Sequence, residues 1–182
     1  LMEHEQMTYV EALKWLANKY NIEVREREMS EEEKREQNDR ESMFIVNKWA
    51  MEYFNNILLN DVDGRAVGMQ YFRSRGFRDD IIEKFHLGFA LPSRNALAQE
   101  ALRKGFNEKY LIATGLCFKR DNGELVDKYS GRVMFPWIGV NGNVRAFGGR
   151  LLDSRTKGVQ QKYINSSDSE IYHKERELYG IF

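Results

Sequence analysis

The chain has 182 residues, enough for one well-buried domain or for a domain with an appendage. With 42% hydrophobic and 31% charged residues it reads as soluble and globular, and no apolar run approaches the ~20 residues that a membrane span needs. Lysine plus arginine equals aspartate plus glutamate at 28 each, and the single cysteine, Cys117, excludes an internal disulfide and a multi-cysteine zinc site.

The zero net charge hides an asymmetry along the chain. Residues 1–41 hold twelve acidic and seven basic side chains, whereas residues 128–162 hold one acidic residue, Asp153, and seven basic ones. Local charge, not the total, sets what a surface attracts. No secretory signal precedes the first helix, which leaves the cytoplasm as the expected location. A first residue that is not methionine, and an end without a polar tail, suggest a piece of something longer.

Thr8 and Glu11 make a capping box, and Val10, Leu13, Leu16, Ala17 and Tyr20 then give an amphipathic helix ending near Asn21. Residues 23–41 carry nine acidic and five basic side chains with almost nothing to bury. We expect a charged linker over 25–41 and a domain boundary there, although Ser30 and Glu33 form a second capping box that favours helix from that point. Met43, Val46, Ala50, Phe54, Ile57 and Leu58 recur at three and four, predicting a long helix with one apolar stripe. The DVDG run that starts at Asp61 resembles a calcium loop, but its fifth position is Arg65, and a turn is expected.

A helix over 66–74 should be closed by Gly76, and Asp79 and Asp80 should open the next. Leu87 and Phe89 alternate as in a short strand, with His86 beside it as a core histidine. Short helices are expected over 96–103 and 108–113, each ended by a glycine, Gly105 or Gly115. Strands then take over, at 116–119, at 125–129 and in a hairpin from Arg132. In that hairpin an apolar run stops at Pro136, Asn141-Gly142 forms the turn, and the return strand passes Gly148 and Gly149. Both turn positions should take positive φ, and the paired glycines should mark a bulge or a close approach to the backbone. One more strand is expected at 162–165. Helices first and a largely antiparallel sheet after make an α+β fold, without the strand–helix alternation of a parallel nucleotide-binding sheet.

The glycines do not fit G-x-G-x-x-G, and His4, His86 and His173 pair with no ligand at metal spacing. Cys117 lies in an apolar run as a buried small hydrophobe, and Ser166, Ser167 and Ser169 suit helix caps. What remains is a basic sheet: Lys128, Arg132, Arg145, Arg150, Lys162 and Lys174, interleaved with Tyr129, Trp137, Phe147, Tyr163 and Tyr172. Cations that grip phosphates beside aromatics that stack on bases are what single-strand binding requires. Strands alternate faces, so the same pattern also fits an aromatic inner face and a solvated cationic outer one.

RVMFP, an N-G turn, FGGRLL and KYINSSDSEIYHKERELYG (residues 132–180), preceded by YFRSRGF (71–77) and IIEKFHLGFA (81–90), closely resemble bacterial DnaG-type DNA primases. The match is to the amino-terminal half of that family's RNA-polymerase domain. Residues 1–24 resemble the helix that closes its zinc-binding domain, so the resemblance implies three parts: 1–24, the linker 25–41, and a core subdomain over 42–182. It also implies that the zinc ligands lie before Leu1 and that the Toprim carboxylates for Mg or Mn lie after Phe182. On this reading the piece alone makes no primers. The implied subdomain is one wall of the catalytic cleft, guiding single-stranded DNA template and helping to hold NTPs, with the replicative helicase met through a separate carboxy-terminal domain. Carried over by motif, Arg75, Arg150, Lys162, Tyr163, Asn165 and Lys174 are the expected nucleic-acid and nucleotide contacts, with Arg132 and Arg145 beside them. Ser167 stands where the family commonly has proline and Glu175 where it has glycine, and residues 153–161 form a longer stretch than usual. The alternatives are a non-enzymatic protein-interaction module and a stand-alone single-strand-binding domain.

Overall fold

A computed structural model describes residues 15–16, 19–20, 29–152, 161–176 and 179. The Thr8–Glu11 capping box, most of the first predicted helix and nearly all of residues 153–161 lie outside the described residues. The chain divides into two compact units, Leu1–Asn38 and Asp39–Phe182.

The first helix described along its full length, α1 (Glu31–Asn60), opens on the second capping box. The Ser30 N–H donates to Glu33 at 2.8 Å and the Glu33 N–H donates to Ser30 Oγ at 3.1 Å, which satisfies two of the orphan donors of a helix start. Glu31, Glu32 and Glu33 place negative charge at the positive end of the helix dipole. The segment expected as a linker over 25–41 is therefore helical from Glu31 onward. Met43, Val46, Ala50, Phe54 and Leu58 are buried as their spacing predicts. Asn47 is buried among them, its amide donating to the carbonyls of Val144 (3.1 Å) and Arg145 (3.2 Å), which ties the helix to the sheet.

Asp61 Oδ1 accepts the N–H groups of Asp63 (2.9 Å) and Gly64 (3.2 Å) and its carbonyl accepts that of Arg65 (3.0 Å), so where a turn was expected Asp61 caps a helical stretch that starts at Val62. The helix expected over 66–74 is two segments, a π-helical stretch at Gly64–Met69 and α2 (Gln70–Ser74). The chain passes so close to α1 here that a Cβ on Gly64 would lie 1.9 Å from the Ile57 carbonyl oxygen. Next comes α3 (Asp79–Lys84). His86 is not a core residue: it is exposed at φ 48° and reverses the chain after α3, with its own N–H bonded to Glu83 and that of Leu87 to Ile82.

Then follow β1 (Gly88–Phe89), α4 (Ala96–Arg103), α5 (Glu108–Ala113), β2 (Cys117–Lys119) and β3 (Leu125–Asp127), both helices with the bounds their sequence predicts. Cys117 is buried, and burial, with Asp127 beside it, pushes its thiol well above the ordinary range. Asp127 caps α4 from across the fold. Its carboxyl oxygens accept the N–H groups of Leu97 (2.8 Å) and Ala98 (2.9 Å), while Asn95, at the cap position, makes no side-chain bond. Burial holds the Asp127 carboxyl above its usual range, against the pull of those two bonds. Asp127→Ala should therefore cost about 1–2 kcal/mol in urea denaturation, and Asp127→Asn less, because an amide oxygen still accepts one bond. An unchanged midpoint for the alanine variant would mean that packing alone holds α4.

The main sheet has the order β1-β4-β5-β6 and is antiparallel throughout, formed by β1, β4 (Arg132–Ile138), β5 (Val144–Leu151) and β6 (Tyr163–Asn165). Strand β4 does not stop at Pro136 but runs through it. Pro136 lies opposite Phe147, whose N–H and C=O bond to Ser166 instead, and β1 reaches only as far as Met134, so no ladder bond is lost to the missing N–H. In the hairpin loop only Gly142 takes a positive φ (77°), because the turn starts at Gly139, whose carbonyl accepts the Gly142 N–H. The register shift falls between Trp137 and Ile138, not at the paired glycines.

Alternation along β4 and β5 gives the sheet two covered faces. Met134 and Phe147 point to one, against Val46, Ala50 and Phe54 of α1 and Leu97 and Ala101 of α4. Val133 and Phe135 point to the other, against Leu58, Phe72 of α2 and Ile82 of α3. The architecture is α+β. No helix among the described residues is long and apolar enough to cross a membrane.

Candidate nucleic-acid interface

The register fixes which basic residues can meet. Arg150 of β5 pairs with Val133 on one side and with Tyr163 of β6 on the other, so all three side chains share the face that α2 covers. Tyr71, on α2, closes over them. The Arg150 guanidinium carbon lies 4.6 Å from the centre of the Tyr71 ring and 5.6 Å from that of Tyr163, and its Nε donates to the Tyr163 hydroxyl at 3.0 Å. Arg75, one helical turn after Tyr71, approaches the same Tyr71 ring at 5.6 Å. Lys162 Nζ lies 6.0 Å from the Tyr163 ring.

Three cations and two phenols therefore form one cluster, and among the described residues no ion pair engages Arg75, Arg150 or Lys162. The Arg150 hydrogen bond, with the charges of Arg150, Lys162 and Arg75, draws the Tyr163 hydroxyl below the ordinary tyrosine range. Tyr163 is 61% exposed, so its ring is accessible to a base, whereas Arg150 is only 8% exposed and lies against the two phenols. Arg75 and Lys162 are exposed and able to reach a phosphate. Asn165 lies on the same face, its Oδ1 over Gly148 at 3.1 Å from where a Cβ would be.

The other candidates stand elsewhere. Arg132 is 5% exposed on the opposite face, its Nη1 donating to the carbonyls of Lys162 (3.1 Å) and Gly149 (3.5 Å). Arg145 lies across Gly139 at the far end of β5, about 17 Å from Arg150 along a strand that rises 3.4 Å per residue. Lys174 is exposed on a 3-10 turn, Lys174–Arg176, with its backbone N–H bonded to Asp168. Of the aromatics, Tyr129, Phe147 and Tyr172 are core residues and only Tyr163 is largely exposed. Burial and the Ser166 bond act in opposite senses on the Tyr129 hydroxyl, and burial wins, raising it. Tyr71 is the cluster member that the sequence reading passed over. Its place four residues before Arg75, on one helix face, was the available signal. The donors gathered here are cations and phenols, which do not fit Mg, Mn or Zn, so no metal step is assigned to them.

A family model described as DNA primase catalytic core, N-terminal domain, matches residues 53–182. The chain belongs to the DnaG-type DNA primase family. Among DNA primases, that of Halalkalibacterium halodurans is 33% identical over 183 residues, covering all of this chain and 29% of the relative. That of Escherichia coli K12 is 31% identical, again covering all of this chain and 30% of the relative. The chain thus spans less than a third of these primases. Two solved primase structures share the fold. A DnaG primase catalytic domain bound to ssDNA aligns with TM-score 0.69 and 31% identity over 80% of this chain and 45% of that one. The RNA polymerase domain of Mycobacterium tuberculosis primase DnaG aligns with TM-score 0.71 and 29% identity over 78% and 45%.

Proposed function

We propose that this chain serves template-directed synthesis of short RNA primers as part of a cytoplasmic replicative DNA primase, and that the face built from α2, β5 and β6 receives single-stranded DNA template. The observation that carries the reading is the Arg75–Tyr71–Arg150–Tyr163–Lys162 cluster, which joins phosphate-seeking cations to an exposed aromatic ring. Stacking of a base on such a ring contributes about 1–3 kcal/mol without sequence preference, which suits a template wall. The relative solved with ssDNA supports the choice of ligand. The same cations suit the phosphates of an incoming NTP, and Asn165 can bond a sugar or a base edge. Metal chemistry, with Mg or Mn for nucleotidyl transfer and Zn for structure, and the helicase contact are assigned to other parts of such a primase.

An NMR titration of the isotope-labelled chain with a single-stranded oligothymidylate tests this. Shifts should concentrate at 71–75, 150 and 162–165. Shifts centred instead on the groove lined by Leu59, Val62 and His86 would favour a protein-interaction surface and contradict the reading.

A further inference from the structure

Strand β6 carries the proposed site yet is three residues long and lies at the sheet edge. Its ladder to β5 pairs Gly148 with Asn165, Gly149 with Ile164 and Arg150 with Tyr163, and one backbone bond extends it at each end, from Leu151 N–H to the Lys162 carbonyl (2.8 Å) and from Ser166 N–H to the Phe147 carbonyl (2.9 Å), a short ladder for an edge strand. Further side-chain bonds to the backbone and flank of β6 come from one short segment, residues 128–132 (KYSGR). Lys128 Nζ donates to the Asn165 carbonyl at 2.9 Å. The Tyr129 hydroxyl and Ser166 Oγ share a buried bond of 2.9 Å, and Ser166 Oγ in turn accepts the Phe147 N–H at 3.0 Å. Arg132 Nη1 donates to the Lys162 carbonyl at 3.1 Å. Both ends of β6 are thereby fastened, one by Arg132 and the other by Lys128 and Tyr129.

To reach β6, Tyr129 and Arg132 must cross β5, and they do so over Gly149. A Cβ there would lie 2.8 Å from Tyr129 Cδ1 and 3.1 Å from Arg132 Cδ. That crossing is the physical reason for the second glycine of FGGR. It also explains why two cations of the basic stretch are turned from solvent: Arg132 is buried, and Lys128, half-buried, is held below the usual lysine range by desolvation.

We infer that Lys128, Tyr129 and Arg132 are positioning residues, which hold β6 so that Lys162, Tyr163 and Asn165 are presented together, and that none of the three touches the nucleic acid. The inference rests on the proposed reading of β6 as a single-strand site. Each cation that touches a phosphate adds about 0.7 to the steepness of log affinity against log salt on a single strand, and a cation that acts through the backbone adds none. A second reporter needs no ligand at all, since the Tyr163 hydroxyl is drawn down mainly by its bond from Arg150 and should rise when β6 slips.

The test combines anisotropy of a labelled oligothymidylate over a salt series with a 13C-tyrosine titration of the full chain, using Arg132→Met and Lys128→Met. Lys128 is half-buried at the surface, so its variant should fold even if the Arg132 variant does not. Each variant should bind several-fold more weakly because the contacts of Tyr163 and Asn165 are lost, with the wild-type salt slope because exposed Lys162, just before β6 on a flexible stem, still reaches a phosphate, and the Tyr163 resonance should titrate at higher pH. A slope shallower by about 0.7 would make the residue a direct phosphate contact and overturn the inference. An unmoved Tyr163 titration in the folded variants would overturn it as well. If the wild type showed no salt-dependent affinity, the single-strand reading would fail, and the clamp on β6 would be judged by the titration alone.

Discussion

Phe54→Ala is expected to destabilise the chain by about 3–5 kcal/mol, the range for deleting a buried aromatic ring that its surroundings cannot refill. Phe54 is 2% exposed on α1 and meets Phe147 of β5 edge to face at 5.7 Å. Its surroundings are already at closest approach, since a Cβ on Gly88 would lie 2.6 Å from Phe54 Cβ. Little slack remains to close over the space an alanine leaves, which places the cost toward the upper end. Domains of this kind are stable by only about 5–15 kcal/mol, so the change removes a large share. In urea denaturation the midpoint should fall with an unchanged slope, and a loss below about 1 kcal/mol would contradict the packing of α1 on the sheet. The effect should also reach the proposed site through β5, because the strand that Phe54 supports carries Arg150 on its other face.

Legibility in the sequence followed the range of the interactions. The Ser30–Glu33 capping box, the stripe of α1 and the bounds of α4 and α5 rest on neighbours three or four residues apart, and these local signals predict what forms. Pro136 misled because its effect depends on which neighbour strand faces it, and β1 is too short to require its N–H. The high charge of residues 25–41 suggested a linker, yet from Glu31 onward the chain is helical, since charge on an exposed helix is tolerated once the cap is made. His86 illustrates the converse, an expected core residue turned outward by a left-handed backbone.

The basic stretch was visible as a count of charges, but not which way each charge turns. Arg132 and Arg150 stand on paired strands, and only the register places them on opposite faces, one with its guanidinium on backbone carbonyls and one between two phenols. Arg145 belongs to the hairpin end for the same reason. Motif resemblance carried Arg75 and Lys162 to the positions where the fold gathers them beside Arg150. It named Tyr71 only as part of a string, since nothing local shows that α2 will close over β5.

On the proposed reading, exposed cations of this cluster grip a single strand. Arg75→Ala/Lys162→Ala removes two charges that the structure commits to no ion pair among the described residues, and both side chains are exposed, so stability should be unchanged within about 0.5 kcal/mol. Wild-type affinity for an oligothymidylate is expected at about 10⁻⁴ to 10⁻⁶ M, the range of non-specific electrostatic binding. The double variant should lose about tenfold, or ~1.4 kcal/mol, and its salt slope should be shallower by about 1.4, two phosphate contacts at about 0.7 each. Fluorescence anisotropy of the two proteins across a salt series is the direct measurement. A folded double variant with wild-type affinity and slope would show these side chains to be a solvated face and contradict the template-wall account.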